Sequence, residues 1–504
     1  MAKTFRIFLF LLMAIAARPA VAQTQFGERP KLVVGIVVDQ MRWDYLSRYY
    51  DQFTDGGFRR LIDQGFSCNN CLINYLPTIT AIGHASVYTG TTPAFHGICG
   101  NNFYIDGQKV YCCADSTVET VGSKSEKGRM SPHNMLATTI GDQLRLHTDF
   151  GSKVIGVSYK DRAAILPAGH SANAAYWLDL KNSCFITSTY YMQELPGWAL
   201  DVNRQLQKNK EVKQLGEDIG LSPLCGTVIT DMAIAAMKGE LMGKGPQTDM
   251  LCVSYSQTDV IGHRHGTRGK NTDDAYLQLD RDLARLLKAA DEQVGEGNYL
   301  VFLTADHGAA HNWKFMQEHK LPAGPWRSGS MVEHVYDAVS NDIGETGKYI
   351  ADVLDYRIFL DWKTIQEQGL MAANMEQHVL GELEKEPDIV FAAVCKDLAT
   401  SALPPLLRDR AMMGYYPGRS GDLIFFPKPG YYEFGQWSSP TGTTHGEWNP
   451  YDSHIPCLFF GWKVQHGATS REVHITDIAP TVCQMLHIQQ PDACVGEPIT
   501  EITK

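Results

Sequence analysis

Four apolar runs, each leading into a residue that can do chemistry, constrain this chain more than any other feature. Leu32 to Val38 ends at Asp39, Lys153 to Ser158 leads to Lys160 and Arg162, Met250 to Ser256 to Asp259, and Tyr299 to Thr304 to Asp306. Unbroken apolar runs of this length suit strands buried on both faces. Between them, Asp274 to Glu292 carries Tyr276, Leu279, Leu283, Leu286 and Leu287 at helical spacing. The alternation predicts an α/β fold with a mainly parallel central sheet flanked by helices. Such sheets present functional side chains just beyond the carboxyl ends of their strands, where these residues fall. A fifth run, Pro456 to Phe460, follows His445. Residues 165–225 and 310–430 have weaker periodicity and many loops. They are expected as insertions, forming a cap within a single catalytic domain over residues 23–504.

The N-terminus reads as a secretion signal over residues 1–22. Lys3 and Arg6 precede the apolar run Ile7 to Ala17, and Ala20-Val21-Ala22 offers small residues for cleavage. That run is about half the roughly twenty residues a spanning helix needs. The mature chain is therefore expected to be periplasmic or secreted, with no stable membrane insertion. Twelve cysteines suit an oxidising compartment, although their pairing is not legible from spacing. Net charge is −11, and more negative still once Lys3, Arg6 and Arg18 leave with the signal. An acidic chain lacks the basic footprint of a general nucleic-acid binder, so no nucleic-acid partner is expected. An anionic substrate would need a local positive site.

Asp39, Thr80, Asp259, His263, Asp306, His307 and His445 comprise three carboxylates, three imidazoles and one hydroxyl. That set is enough for two divalent metals with a nucleophile between them, and its mixture of nitrogen and oxygen suits zinc. Two metals about 4 Å apart can hold both the attacking and the leaving oxygen of a displacement at phosphorus. Asp259 and His263 are four apart, so one helical turn would put them on one face. Asp306-His307-Gly308 follows a strand, and its glycine lets the backbone approach closely. Asp39 by itself could equally cap a turn, and His445 could be an ordinary loop histidine. In Pro77-Thr78-Ile79-Thr80, Thr80 is the candidate nucleophile at a helix start, with Thr78 as the alternative and helix capping as the plain reading of either.

Taken together, Val37-Val38-Asp39, Thr80-Ala-Ile-Gly-His84, His96-Gly-Ile-Cys-Gly-Asn101, Asp259-Val-Ile-Gly-His263, Ala305-Asp306-His307-Gly308 and Thr444-His445-Gly446 resemble the motifs of the alkaline phosphatase superfamily, in order from about residue 31 to 490. The likeness is nearest to the periplasmic PafA-type alkaline phosphatases. It implies two Zn2+, one held by Asp259, His263 and His445 and the other by Asp39, Asp306 and His307. It also implies a phosphothreonine on Thr80, later released by water, and so selects Thr80 over Thr78. By the same likeness Asn101, Lys160 and Arg162 hold the phosphoryl oxygens of small-molecule phosphate monoesters. An arginine fork and a lysine point charge suit that task, and alternate residues of an extended segment would face one way. A phosphodiesterase of the nucleotide pyrophosphatase type keeps the threonine and metals but lacks this pair, and is the alternative. A sulfatase is disfavoured because no cysteine sits in a Cys-x-Pro-x-Arg setting. A binding protein that kept the scaffold would have no need of the nucleophile. His84 and His96 are expected to be structural, and His265 and His311 to be partners of ligands or bystanders. Asp452 and His454 are expected to orient a ligand. The protein is expected to be a monomer.

Overall fold

The computed structural model describes residues 28–343, 348–433 and 440–503. The expected signal segment, residues 1–22, lies outside the described residues. A ten-stranded sheet organises the molecule. Five parallel strands form its centre: β1 (Leu32–Val38), β2 (Val154–Ser158), β3 (Ala174–Asp179), β4 (Asp249–Tyr255) and β5 (Tyr299–Thr304), in the order β5-β1-β4-β2-β3. All five are buried along their whole length, as continuous Val/Ile/Leu-rich runs require. Register aligns Val38 with Tyr255 and Val37 with Thr304, so the carboxyl ends of β1, β4 and β5 lie level. Asp39, Asp259 and Asp306 therefore leave the sheet along one edge. Beside β5 the run near residue 456 becomes Cys457–Gly461, and it pairs antiparallel. The sheet is thus parallel at its centre and mixed overall.

Among the helices that carry residues singled out in the sequence are α1 (Thr80–Thr89), α2 (Asp161–Ala168), α3 (Gln257–His265) and α4 (Lys270–Val294). α1 is buried at every residue. It presses so closely on β1 that a Cβ on Gly35 would lie 2.5 Å from both the Tyr88 hydroxyl and the Phe302 ring.

The expected insertion at 165–225 is corrected. It supplies β3 and the antiparallel strand Cys184–Ser188 of the central sheet itself. Its weak periodicity reflects strands buried on both faces, which show no alternation. Residues 310–430 contain a second sheet. Strands β6 (Ile350–Leu354), β7 (Arg357–Leu360), β8 (Ile389–Val394) and β9 (Leu423–Pro427) form a sheet in the order β6-β7-β9-β8, around a core of its own that includes Trp326, Val335, Ile358, Val379 and Phe425.

Candidate active site

α1 begins at Thr80, with Ile79 extended at its N-cap, so the hydroxyl sits at the positive end of the helix dipole. Thr80 is buried, and its Oγ1 lies 3.4 Å from His307 Nε2. One turn of α3 brings Asp259 Oδ1 to 3.0 Å from His263 Nε2, and His445 Nε2 stands 3.6 Å from the same oxygen. His307 Nε2 is 3.5 Å from Asp39 Oδ1 and 3.4 Å from Asp306 Oδ2. The His307 and His445 rings stack with centroids 3.5 Å apart. All seven residues singled out in the sequence meet here.

The donor set fits cations. Each imidazole is fixed through its other nitrogen: His263 Nδ1 to the Thr443 carbonyl at 2.9 Å, His307 Nδ1 to that of Gly308 at 3.0 Å, and His445 Nδ1 to that of Thr78 at 2.7 Å. A carbonyl can only accept, so each Nδ1 carries a proton, and where the ring is neutral Nε2 presents a lone pair to the centre. Burial holds His307 below the usual histidine value and, with His307 and His263 beside it, His445 further below, so both stay neutral; Asp259 overcomes burial at His263 and raises it. Lone pairs facing carboxylates repel unless a cation stands between them. Asp39 Oδ1 is moreover buried without a hydrogen-bond partner, an expensive state for a carboxylate oxygen.

Among the described residues, two groups have ligand atoms all within 4.8 Å: Asp259, His263 and His445, then Asp39, Asp259 and His307. The first brings together the three residues expected to share one ion. The second has Asp259 where Asp306 was expected. Lys160 explains the difference, since its buried ammonium donates to Asp39 Oδ2 at 2.7 Å and Asp259 Oδ2 at 2.6 Å and draws the two together. Burial disfavours that charge, but Asp259 and Asp39 outweigh it and raise the lysine.

Lys160 and Arg162 do not share an extended segment. Lys160 is the extended N-cap of α2, and Arg162 is already helical. Both still line one cavity of about 970 Å³, with Asn101, Asp259, His263 and His445. The side-chain oxygen of Asn101 accepts the Ala81 N–H at 3.2 Å, which leaves its amide hydrogens free to donate elsewhere. Thr78 is tied down instead. Its hydroxyl donates to the Glu447 carbonyl and accepts the Gly446 N–H, both at 3.1 Å.

Two residues have no signal in the sequence. Gln40 donates its side-chain amide to Asp259 Oδ1 at 2.6 Å and its backbone N–H to Asp306 Oδ1 at 3.1 Å, from a left-handed backbone at φ 64°. A strained non-glycine beside a strand-end carboxylate is a functional signature, but one visible only in three dimensions. Tyr111 accepts from Arg162 Nη1 at 3.1 Å and donates to Asp161 Oδ1. Of the lesser histidines, His84 bonds the Thr80 carbonyl at 2.9 Å and Ser254 at 2.7 Å, and His96 bonds Ser86 and the Ile98 N–H, each at 3.1 Å. His265 and His311 bond Asn271 and Thr267. Asp452 accepts the Glu447 N–H at 2.8 Å and so steadies the His445 loop, whereas His454 stacks on Trp43 and bonds Asn69.

Comparison with known proteins places this geometry. Residues 33–450 match the family described as type I phosphodiesterase/nucleotide pyrophosphatase. The chain is 41% identical to alkaline phosphatase PafA of Elizabethkingia meningoseptica over 98% of both chains. It is 40% identical to a calcium-transporting ATPase of Myroides odoratus over 96% of both, and 40% identical to alkaline phosphatase PhoV of Synechococcus elongatus over 94% of this chain and 93% of that one. The crystal structure of wild-type PafA superposes with a TM-score of 0.91 at 42% identity, covering 95% of this chain and all of that one. Murine ectonucleotide pyrophosphatase/phosphodiesterase 5, at 13% identity and a TM-score of 0.55 over 91% of this chain and 95% of that one, shares the fold. The chain belongs to the type I phosphodiesterase/nucleotide pyrophosphatase family and, within the alkaline phosphatase superfamily, to the PafA type.

Proposed function

We propose that this protein is an exported di-zinc alkaline phosphatase that hydrolyses phosphate monoesters through a phosphothreonine on Thr80. The observation that carries the reading is the meeting of a helix-start threonine, 3.4 Å from His307, with two clusters of metal-ligating atoms, one of which lines a single cavity with a Lys-Arg-Asn trio. The names of the PafA and PhoV relatives support it. So does a solved PafA variant with a threonine, an asparagine, a lysine and an arginine replaced, the same four residue types.

Zinc, when bound, would lower the pKa of the nucleophile and neutralise charge on the phosphoryl oxygens. Thr80 Oγ1 then attacks phosphorus and the alcohol departs, leaving phosphothreonine. Water next attacks the same phosphorus, releasing inorganic phosphate and restoring the hydroxyl. Arg162 and the Asn101 amide hold the non-bridging oxygens through both steps, and Lys160 supplies a point charge at the inner end. A monoester's phosphoryl group carries no second substituent, so all its oxygens are open to that clamp. The terminal phosphoryl of a nucleoside triphosphate is likewise unsubstituted, which accommodates the ATPase name of one relative. Among the described residues no single helix is long and apolar enough to cross a membrane.

The family's printed description favours a second reading, a phosphodiesterase on the same centre. Steady-state rates on 4-nitrophenyl phosphate and its bis-ester separate the two, with zinc-loaded wild type, Thr80→Ala, Lys160→Ala and Arg162→Ala. The monoester should win by orders of magnitude, and the two clamp variants should lose mainly monoester rate. Preference for the diester, or turnover surviving in Thr80→Ala, would overturn the proposal.

A further inference from the structure

One hairpin of the cap reaches the catalytic centre, its residues Val353 to Tyr356 lining the cavity. β6 and β7 pair with Leu354 opposite Arg357, so the turn between them is only Asp355 and Tyr356. Both are left-handed, at φ 52° and 62°. A two-residue turn of this type normally uses Asn-Gly or Asp-Gly, and a tyrosine at its second position is strained. The next residue, Arg357, is only 2% exposed, and its Nε and Nη1 have no hydrogen-bond partner. A buried guanidinium with idle donors is destabilising. The fold thus keeps two unfavourable features side by side in a turn that simpler residues could make.

The contacts of these residues give a reason. Arg357 Nη2 donates to the Cys99 carbonyl. Asp355 Oδ2, 4.0 Å from Arg357, lies against Gly100, where a Cβ would approach it to 2.6 Å. Asn101 follows directly and caps the Ala81 N–H beside the nucleophile. Tyr356 packs its ring on Gly446, where a Cβ would be 3.0 Å away, and lines the cavity together with Ile79. Its hydroxyl accepts the Glu433 N–H at 3.1 Å and reaches Glu447 Oε1 at 3.4 Å. Three consecutive cap residues therefore contact Cys99, Gly100 and Gly446, which lie one or two positions from Asn101 and His445. None of the three is itself a candidate ligand.

We propose that the Asp355-Tyr356-Arg357 tip is a positioning clamp, through which the cap holds Asn101, and with it the phosphoryl-binding geometry, in register with Thr80 and His445. Arg357 acts through the Cys99 carbonyl and the short stretch of backbone between it and Asn101. Asp355 acts by filling the space over Gly100, and Tyr356 by seating Gly446. Cap and centre are then one device, and loosening the tip impairs the reaction that needs Asn101 without dismantling the metal ligands.

The clamp rests on the phosphomonoesterase reading, and a double-mutant cycle tests it separately. Arg357→Ala, Asn101→Ala and the double variant are assayed, zinc-loaded and full length, on 4-nitrophenyl phosphate and on its bis-ester, with thermal midpoints alongside. If Arg357 works through Asn101, Arg357→Ala lowers monoester kcat/KM roughly ten- to a hundredfold, the size expected of misplaced binding groups. The diester rate should change less than about threefold, and Arg357→Ala should add less than about threefold once Asn101 is gone. Parallel loss of both rates, or losses that multiply in the double variant, would overturn the clamp. If Arg357→Ala does not yield folded protein, Arg357→Gln carries the same cycle, with the same outcomes for and against. A wild type that prefers the diester defeats the phosphomonoesterase reading instead, and the coupling between Arg357 and Asn101 is then read from the cycle on the diester.

Discussion

The Tyr111 hydroxyl makes two hydrogen bonds, and both steer Arg162: it accepts from the guanidinium and donates to Asp161, whose carboxylate also takes the Arg162 backbone N–H at 2.6 Å. Tyr111→Phe should lower monoester kcat/KM by about tenfold, or ~1.4 kcal/mol, the loss of one hydrogen bond to a charged group. Steady-state kinetics on a variant of unchanged midpoint would show it, and an unaltered kcat/KM would mean that Arg162 is held without Tyr111. His96 makes a prediction about stability. Burial pushes it down to about 3, and it has no exposed surface. Its folded value lies below its unfolded one, so the native state binds fewer protons between the two. Its contribution is complete above about pH 6.5 and is lost as pH falls, by about 1.4 kcal/mol per pH unit. Urea midpoints at pH 7 and pH 5 should therefore separate by less in His96→Gln than in wild type. At this scale the sequence names the chemistry but not the hydrogen bonds. Thr78 and Thr80 look alike in a string of letters. Only the fold shows one hydroxyl committed to Glu447 and Gly446, and the other beside His307.

Elements bring these residues together by close approach. α1 lies against the end of β5 so tightly that a Cβ on Gly83 would collide with the Asp306 carbonyl and meet the Asp306 Cβ at 2.5 Å. The helix that carries Thr80 and the loop that carries Asp306 and His307 are thus spaced by one missing methyl group. Gly83→Ala adds helix propensity yet must push them apart. The expected outcome is net destabilisation of about 1–3 kcal/mol by overpacking, with activity reduced by at least about a hundredfold. Wild-type activity in that variant would show that the contact is slack. Element types are legible where one rule dominates. Unbroken apolar runs announce β1, β4 and β5, and a long amphipathic repeat announces α4. At Tyr159-Lys160-Asp161-Arg162 two rules compete, because a strand end and a helix start adjoin within three residues. Period-two spacing of Lys160 and Arg162 favours an extended segment there, whereas the helix begins at Asp161.

Across the whole molecule, the central sheet draws strands from residues 66 to 469, and only its parallel middle advertises itself. β3 and Cys184–Ser188 read as insertion because short mixed strands carry no period, and their pairing is set by neighbours far away in sequence. The cap's separate core is hinted at by loops, but its contact hairpin is not. What integrates these parts most strongly is the centre where they meet. Asp39, Asp259 and Asp306 are all buried there, with the Lys160 ammonium bonded to the first two and three imidazole Nε2 atoms facing inward. Like charges at that density repel, and cations that bind only the folded chain stabilise it by mass action. That amounts to about 2.7 kcal/mol at a hundredfold excess over Kd. Exhaustive chelation should therefore do two things together: abolish monoester turnover and lower the thermal midpoint. Zinc added back should restore both, with magnesium and calcium restoring less, because three imidazoles suit a borderline metal better than a hard one. The paired readout matters. Activity lost without a shift in midpoint would mean that the metal is bound loosely by substrate rather than by these side chains. Full activity after chelation would mean that the three carboxylates and three imidazoles serve some purpose other than holding metal.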